Sequence, residues 1–350
     1  MNNETILKNQ ADMSLKIARL WSLVGNTPMF GIRYRYQGQT RTIYAKCEQY
    51  NLTGSIKDRM ALYILQRAYA ENKIKAGERI VEASSGNTGI SLAAIGRALS
   101  HPVTIIMPDW LSRERIDIIK SLGAEIILVS KKQGGFLGSI EMSLDMAASD
   151  PKIFLPRQFE SRYNVEAHMK TTGPEIWQQL QNIGLAPTAF VAGVGTGGTV
   201  MGMNNYFKKQ NPLIKVHPLE PAESSTLSTG HKVGTHRIQG ISDEFIPAIV
   251  KLEELSEIIQ VSDGDSILMA QKMAAELGLA VGISSGANII GAIQAQEKLG
   301  PEAVVVTVLS DSNKKYLSTD LMRNEPVKEN YRTPGIELLD YTPLRRLYEE

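Results

Sequence analysis

From about residue 78 onward, short apolar runs alternate with amphipathic stretches, and that alternation restricts the chain to a layered α/β fold. Residues 103–107 are apolar and rich in β-branched side chains, and they end at Pro108. Ser112 then stands where a helix running to 122 needs its cap. The same spacing predicts strands at 79–81, 125–129, 153–155, 190–193, 214–218, 258–261 and 304–309. Helices are predicted at 136–148, 165–180, 200–209, 265–276 and 286–299. Strands that are apolar throughout, separated by amphipathic helices, belong to open parallel sheets covered on both faces.

A length of 350 residues favours two such domains over one. With 38 basic and 37 acidic residues, the chain has no field of one sign to hold nucleic acid or an acidic membrane. The apolar runs are too short to span a bilayer, and the N-terminus lacks the basic start and apolar stretch of a signal peptide. A single cysteine, Cys47, excludes an intrachain disulfide and points to a structural thiol in a reducing, cytoplasmic compartment. After about residue 321 the alternation is lost, which predicts a C-terminal arm on the surface or on a partner subunit. The irregular loop 220–240 is long enough to expect a functional role.

Four segments carry chemistry. In Asn51-Leu-Thr-Gly-Ser-Ile-Lys57-Asp-Arg59, a lysine follows a Gly-Ser turn and precedes an apolar helix. A lone lysine there is ordinarily a solvated charge. Read functionally, it is an amine that a half-buried turn keeps partly neutral for attack on an aldehyde. In Glu82-Ala-Ser84-Ser85-Gly86-Asn87-Thr88-Gly89, hydroxyls and an amide gather at a helix start. They serve either as caps or as a carboxylate site. In Gly193-Val-Gly195-Thr196-Gly197-Gly198-Thr199, the glycines let a backbone approach a phosphate at a helix N-terminus. No Gly-Lys-Ser/Thr follows, and the glycine spacing is not that of a dinucleotide fingerprint, so a single monophosphate fits better. A bulky residue at Gly197 is therefore expected to cost phosphate retention more than folding. In Leu309-Ser-Asp311-Ser312, a hydroxyl follows the last buried strand. The five histidines show no metal-ligand spacing, and no Gly-x-Ser-x-Gly elbow follows a strand.

Together these segments resemble the fold-type II pyridoxal-phosphate (PLP) enzymes, specifically the cysteine synthase and cystathionine β-synthase family. The resemblance runs from Leu23-Val-Gly-Asn-Thr-Pro28 to Tyr316-Leu-Ser-Thr319 and includes Thr171-Thr-Gly-Pro-Glu-Ile-Trp177, Gln239-Gly-Ile241, Phe245-Ile-Pro247 and Gly282-Ile-Ser-Ser-Gly286. It implies a tryptophan synthase β-like α/β fold of two open parallel-sheet domains flanked by helices. The larger, PLP-binding domain would take 21–50 and 162–320, the smaller 51–161, and the arm 321–350. It implies Lys57 as the Schiff-base lysine that later moves protons. Asn87 would bond the cofactor's 3′-oxygen, and Ser84, Ser85, Thr88 and Gln158 would hold the substrate carboxylate. Gly195, Thr196, Gly197, Gly198 and Thr199 would cradle the phosphate, and Ser312 would face the pyridine nitrogen. A neutral hydroxyl there favours expulsion of a β-substituent over transamination. The family pattern also implies a homodimer.

The expected activity is β-replacement at a small amino acid, first of all cysteine synthesis from O-acetylserine and sulfide. The alternatives are a cysteine or serine β-lyase or β-replacement enzyme that uses a thiol, sulfide or water, and a catalytically silent homologue acting as a binding partner. The family's small residues between Gly-Ile and Phe-Ile-Pro are replaced here by Ser242-Asp243-Glu244, and Arg157 replaces an uncharged residue. Asp243 is read as a catalytic candidate that orients a thiol or hydroxyl or acts as a general base, or else as a solvated loop charge.

Overall fold

The computed structural model describes residues 3–242 and 244–347. In chain order the strands among them are β1 (Met29–Tyr36), β2 (Gln39–Cys47), β3 (Arg79–Ala83), β4 (Val103–Pro108), β5 (Glu125–Val129), β6 (Ile153–Phe154), β7 (Ala189–Gly193), β8 (Lys215–Pro221), β9 (Ile259–Val261), β10 (Val305–Leu309) and β11 (Ile336–Leu344). They form two compact units. One holds the residues up to Gly25, Asn51–Thr53 and Lys57–Arg157, and the other Asn26–Tyr50, Gly54–Ile56 and the chain from Gln158.

The smaller unit is built on a four-stranded sheet of order β5-β4-β3-β6, parallel throughout. Every residue of β4 is buried, as its unbroken apolar run requires. Helix Asn87–Ala98 lies close on that strand. A Cβ on Gly89 would sit 2.9 Å from Cγ2 of Ile105, so only glycine permits the approach. The N-terminal helix Asn3–Trp21 joins this unit, burying Met13, Ile17 and Leu20 in its core and donating from Trp21 Nε1 to Gln66 at 3.0 Å.

The larger unit carries a seven-stranded sheet of order β11-β1-β2-β10-β7-β8-β9. From β2 through β10 and β7 to β9 the pairing is parallel, whereas β1 runs antiparallel to both β2 and β11. Residues 336–344, read from the sequence as part of an arm, are thus the edge strand β11. Its burial pattern is mostly exposed, as befits an edge, which is why no apolar run announced it. The predicted helix 165–180 is helix Arg162–Ala167, a π-helical turn His168–Thr172 and helix Gly173–Gln181. Part of the irregular loop is a short helix, Thr226–Thr229, fastened by the fully buried Glu220, which accepts from Leu227 N at 2.7 Å. Cys47 lies in the core, where burial pushes its thiol up, in keeping with a structural role.

Lys46 of β2 is fully buried, and its ammonium meets Glu175 at 2.9 Å, the Thr27 carbonyl at 2.6 Å and Gln179 at 2.8 Å. Glu175 also accepts from Asn26 N at 2.9 Å, so one ion pair holds the Gly25-Asn26-Thr27-Pro28 turn to helix Gly173–Gln181. Glu175→Gln removes the carboxylate charge that this buried ammonium meets at 2.9 Å. It is expected to cost about 3 kcal/mol, read as a lower denaturant midpoint at unchanged slope.

Candidate active site

In the smaller unit, β3 runs through Ser84-Ser85-Gly86 into helix Asn87–Ala98. Ser84 is 1% exposed, and its Oγ accepts from Gly86 N at 3.1 Å and from Gly89 N at 2.9 Å. Ser84 thereby satisfies the helix start from inside. Ser85 and Asn87 are half-buried, and Thr88 is buried. Gly86 adopts φ 158° and ψ −90°, and a Cβ there would meet Arg115 Nε at 2.5 Å. The turn therefore stays open only without a side chain.

Lys57, half-buried, is the first residue of helix Lys57–Ala70. The next residue, Asp58, is fully buried, and its carboxylate takes Thr53 N at 2.6 Å, Thr53 Oγ1 at 2.5 Å and Ser91 Oγ at 2.6 Å. One carboxylate thus fastens the turn before Lys57 to the helix that starts at Asn87. This brings the sequence-predicted residues of the smaller unit together. Asp58 itself went unnoticed in the sequence, although an acidic residue entering an apolar helix beside the candidate lysine was a signal.

In the larger unit, β7 delivers Gly193 to the turn Val194–Gly197 and helix Gly198–Gln210 follows. Gly197 takes φ +86°, and a Cβ on it would run into Val250. Cβ atoms on Gly195 and Gly198 would run into the Gly240 carbonyl and the Asn164 side chain. Two side chains and one backbone carbonyl therefore crowd a turn that only glycine can occupy, at the positive end of a 13-residue helix. A compact phosphate fits that cradle. Asn164 Nδ2 donates to Thr196 Oγ1 and to the Gln158 carbonyl, both at 2.9 Å, so two predicted residues share one support. The Gln158 side chain is buried. Thr199 Oγ1 lies 3.3 Å from His168 Nε2, and His168 Nδ1 lies 2.9 Å from Thr172 Oγ1.

The end of β10 lies beside the end of β7, the crevice where open α/β sheets place ligands. Asn288, from helix Ile283–Leu299, ties the two ends. Its Oδ1 accepts from Gly193 N and its Nδ2 donates to the Val308 carbonyl, both at 2.8 Å. Beyond β10, Ser285 Oγ accepts from Ser310 N at 2.9 Å and Ile56 N donates to the Ser310 carbonyl at 2.9 Å. Asp311 is buried and accepts from the Tyr316 hydroxyl at 2.7 Å, whereas Ser312 is half-buried. Asn164 and Asn288 are further residues that the sequence reading missed, and each stands out afterwards as an amide within a helix. Asp243 lies outside the described residues. Its neighbour Glu244 pairs with Lys232 at 2.7 Å.

The sequence model of a family described as "Pyridoxal-phosphate dependent enzyme" matches residues 20–311. The chain is 39% identical over 305 residues to a probable cysteine synthase of Bacillus subtilis strain 168, covering 87% of this chain and 97% of that protein. The same figures hold for a cysteine synthase of Staphylococcus aureus. Among solved structures, a hydrogen sulfide-producing enzyme from Fusobacterium nucleatum is 55% identical with a TM-score of 0.93, covering 95% of this chain and 99% of that one. An aspartate-to-asparagine variant of that enzyme is described as complexed with an α-aminoacrylate intermediate. An O-acetylserine dependent cystathionine beta-synthase from Helicobacter pylori is 34% identical with a TM-score of 0.78, over 86% and 97% of the two chains.

The geometry revises the expectation for Gly197. A bulky residue there meets both the left-handed backbone and Val250, so folding is affected first. Gly197→Val is expected to cost roughly 2–4 kcal/mol, measured by denaturant unfolding.

Proposed function

Since the chain belongs to the pyridoxal-phosphate dependent enzymes, and within them to the cysteine synthase family, we propose that it exchanges the β-substituent of a small amino acid and that cysteine is its amino-acid substrate. The bound cofactor supplies an electron sink for the substrate's α-carbon. The chain's own residues then set the outcome. Lys57 supplies the amine that holds the cofactor and moves the α-proton. Gly195, Thr196, Gly197, Gly198 and Thr199 hold the phosphate through backbone donors and the helix N-terminus. Asn87 holds the cofactor's 3′-oxygen. Ser85, Thr88 and Gln158 orient the substrate carboxylate, with Ser84 building the turn that presents them.

The observation that carries the choice of β-chemistry is the contrast between Asp311 and Ser312. The acid is buried against Tyr316, which supports the half-buried hydroxyl of Ser312 as the group that faces the ring nitrogen. A hydroxyl does not hold a proton on that nitrogen, so departure of the β-group is favoured over transamination. Replacement of the cysteine thiol by water breaks one carbon–sulfur bond, forms one carbon–oxygen bond, and yields serine and sulfide. The 55% identity to a hydrogen sulfide-producing enzyme supports this direction, as does the carboxylate pair Asp243-Glu244, ill suited to an acetyl ester. The second reading is cysteine synthesis from O-acetylserine and sulfide, favoured by the 39% identity to cysteine synthases. Asp243 is proposed as the group that orients the thiol or activates the attacking water. The proposal includes a homodimer, in keeping with the family pattern, and a reducing cytoplasmic setting, in keeping with a single buried cysteine.

A substrate panel tests the direction. Cysteine alone is expected to release sulfide faster than O-acetylserine plus sulfide yields cysteine, and the reverse order assigns the second reading. Thr199→Val keeps the shape of a half-buried side chain while removing one hydroxyl. It is expected to weaken cofactor retention about tenfold, measured by equilibrium dialysis, and to cost about 1 kcal/mol of stability through the lost contact with His168.

A further inference from the structure

The turn Gly240-Ile241-Ser242 is laid against the glycine-rich cradle. A Cβ on Gly193 would lie 2.9 Å from Ile241, and one on Gly195 would run into the Gly240 carbonyl. Ser242 is held at φ +55°, a left-handed conformation that a residue with a side chain adopts only under constraint. The constraints are visible. Ser242 N donates to the Val194 carbonyl at 2.8 Å, and its Oγ donates to the Ser224 carbonyl at 2.9 Å. Its carbonyl lies 3.1 Å from His236 Nε2. A carbonyl only accepts, so Nε2 carries the proton and the other ring nitrogen is left as a bare lone pair. That nitrogen, Nδ1, is buried and has no hydrogen-bond partner among the described residues. An imidazole used for folding alone would ordinarily satisfy both nitrogens. Burial pushes the His236 imidazole below its ordinary value, despite the Ser242 carbonyl, Asp263 and Glu223 nearby. The ring therefore stays neutral at pH 7.

We propose that His236 is a positioning residue for the Gly240-Ile241-Ser242 turn, holding through the Ser242 carbonyl the turn that packs against the glycine-rich cradle. This deepens the sulfide-releasing function proposed above and rests on it. The adjacent Arg237 supplies the anchor. Its guanidinium reaches Asp263 at 2.7 and 3.1 Å and Glu325 at 2.6 and 2.8 Å, and its backbone N donates to Asp263 at 3.0 Å. The stem of the loop is thereby bound to helix Asp263–Leu277 and to the C-terminal segment. His236 stands on a fixed base and passes its position on to Ser242.

Two variants of the holoenzyme separate this role from a merely structural one. His236→Leu removes the donor, and His236→Gln restores a donor at similar reach. His236→Leu is expected to keep its bound cofactor absorbance, to speed amide exchange across 238–246 about tenfold, and to release sulfide from cysteine about tenfold more slowly, through kcat rather than KM. His236→Gln is expected to restore both exchange and turnover. A leucine variant that exchanges and turns over like wild type overturns the inference, as does a glutamine variant that restores neither. So does ¹⁵N NMR of the wild-type imidazole finding the proton on Nδ1. Exchange and NMR need no amino-acid substrate, so they report on His236 even where the panel rejects cysteine.

Discussion

The side-chain amide of Asn288 fixes the spacing between the ends of β7 and β10, and the larger unit's part of the candidate site is built on that spacing. One hydrogen bond holds the backbone just before the glycine-rich turn, and the other holds the strand that leads to Ser312. The Val308 carbonyl is interior and Gly193 is half-buried, so loss of the amide leaves the buried acceptor unsatisfied, at roughly 1–3 kcal/mol, and takes a partner from the Gly193 donor. The helix that carries Asn288 can approach this closely because Gly286 and Gly291 face its neighbours, where a Cβ would strike the Ser266 carbonyl or Leu219.

The smaller unit relies on Asp58 in the same way. Buried, it accepts from the turn before Lys57 and from the helix that begins at Asn87. In each unit a buried polar side chain thus ties two segments of the candidate site together, the ends of β7 and β10 in one and the turn before Lys57 to the helix from Asn87 in the other. The groups proposed to touch cofactor and substrate, among them Ser85, Asn87, Thr199 and Ser312, are half-buried on these supports. The division of labour between Asp311 and Ser312 follows from the same packing. Tyr316 donates to the buried Asp311 carboxylate, and the half-buried hydroxyl next to it, Ser312, is the one proposed to face the ring nitrogen.

Most of the parallel strands and the glycine-rich turn were legible in the sequence, because apolar periodicity and glycine clusters are local signals. The supports were not. Asn288 meets residues 95 and 20 positions away, and Ser91 meets Asp58 at a separation of 33, distances that no window on the sequence spans. Strand β11 was missed because an edge strand exposed on one side lacks the buried run that identified the others. The π-helical turn at His168 was invisible because it keeps the apolar spacing of an ordinary helix within one residue. Ser84 was read both as a cap and as a carboxylate ligand, and its two backbone partners draw it toward the cap.

The central claim is that Lys57, standing at a helix start next to the Asp58 support, is the amine that holds the cofactor. Borohydride reduction of the holoenzyme followed by peptide mapping tests it directly. The pyridoxyl mass is predicted on Lys57, at close to one group per chain. Its appearance on any other lysine, or its absence from a protein that retains its colour, would contradict the account.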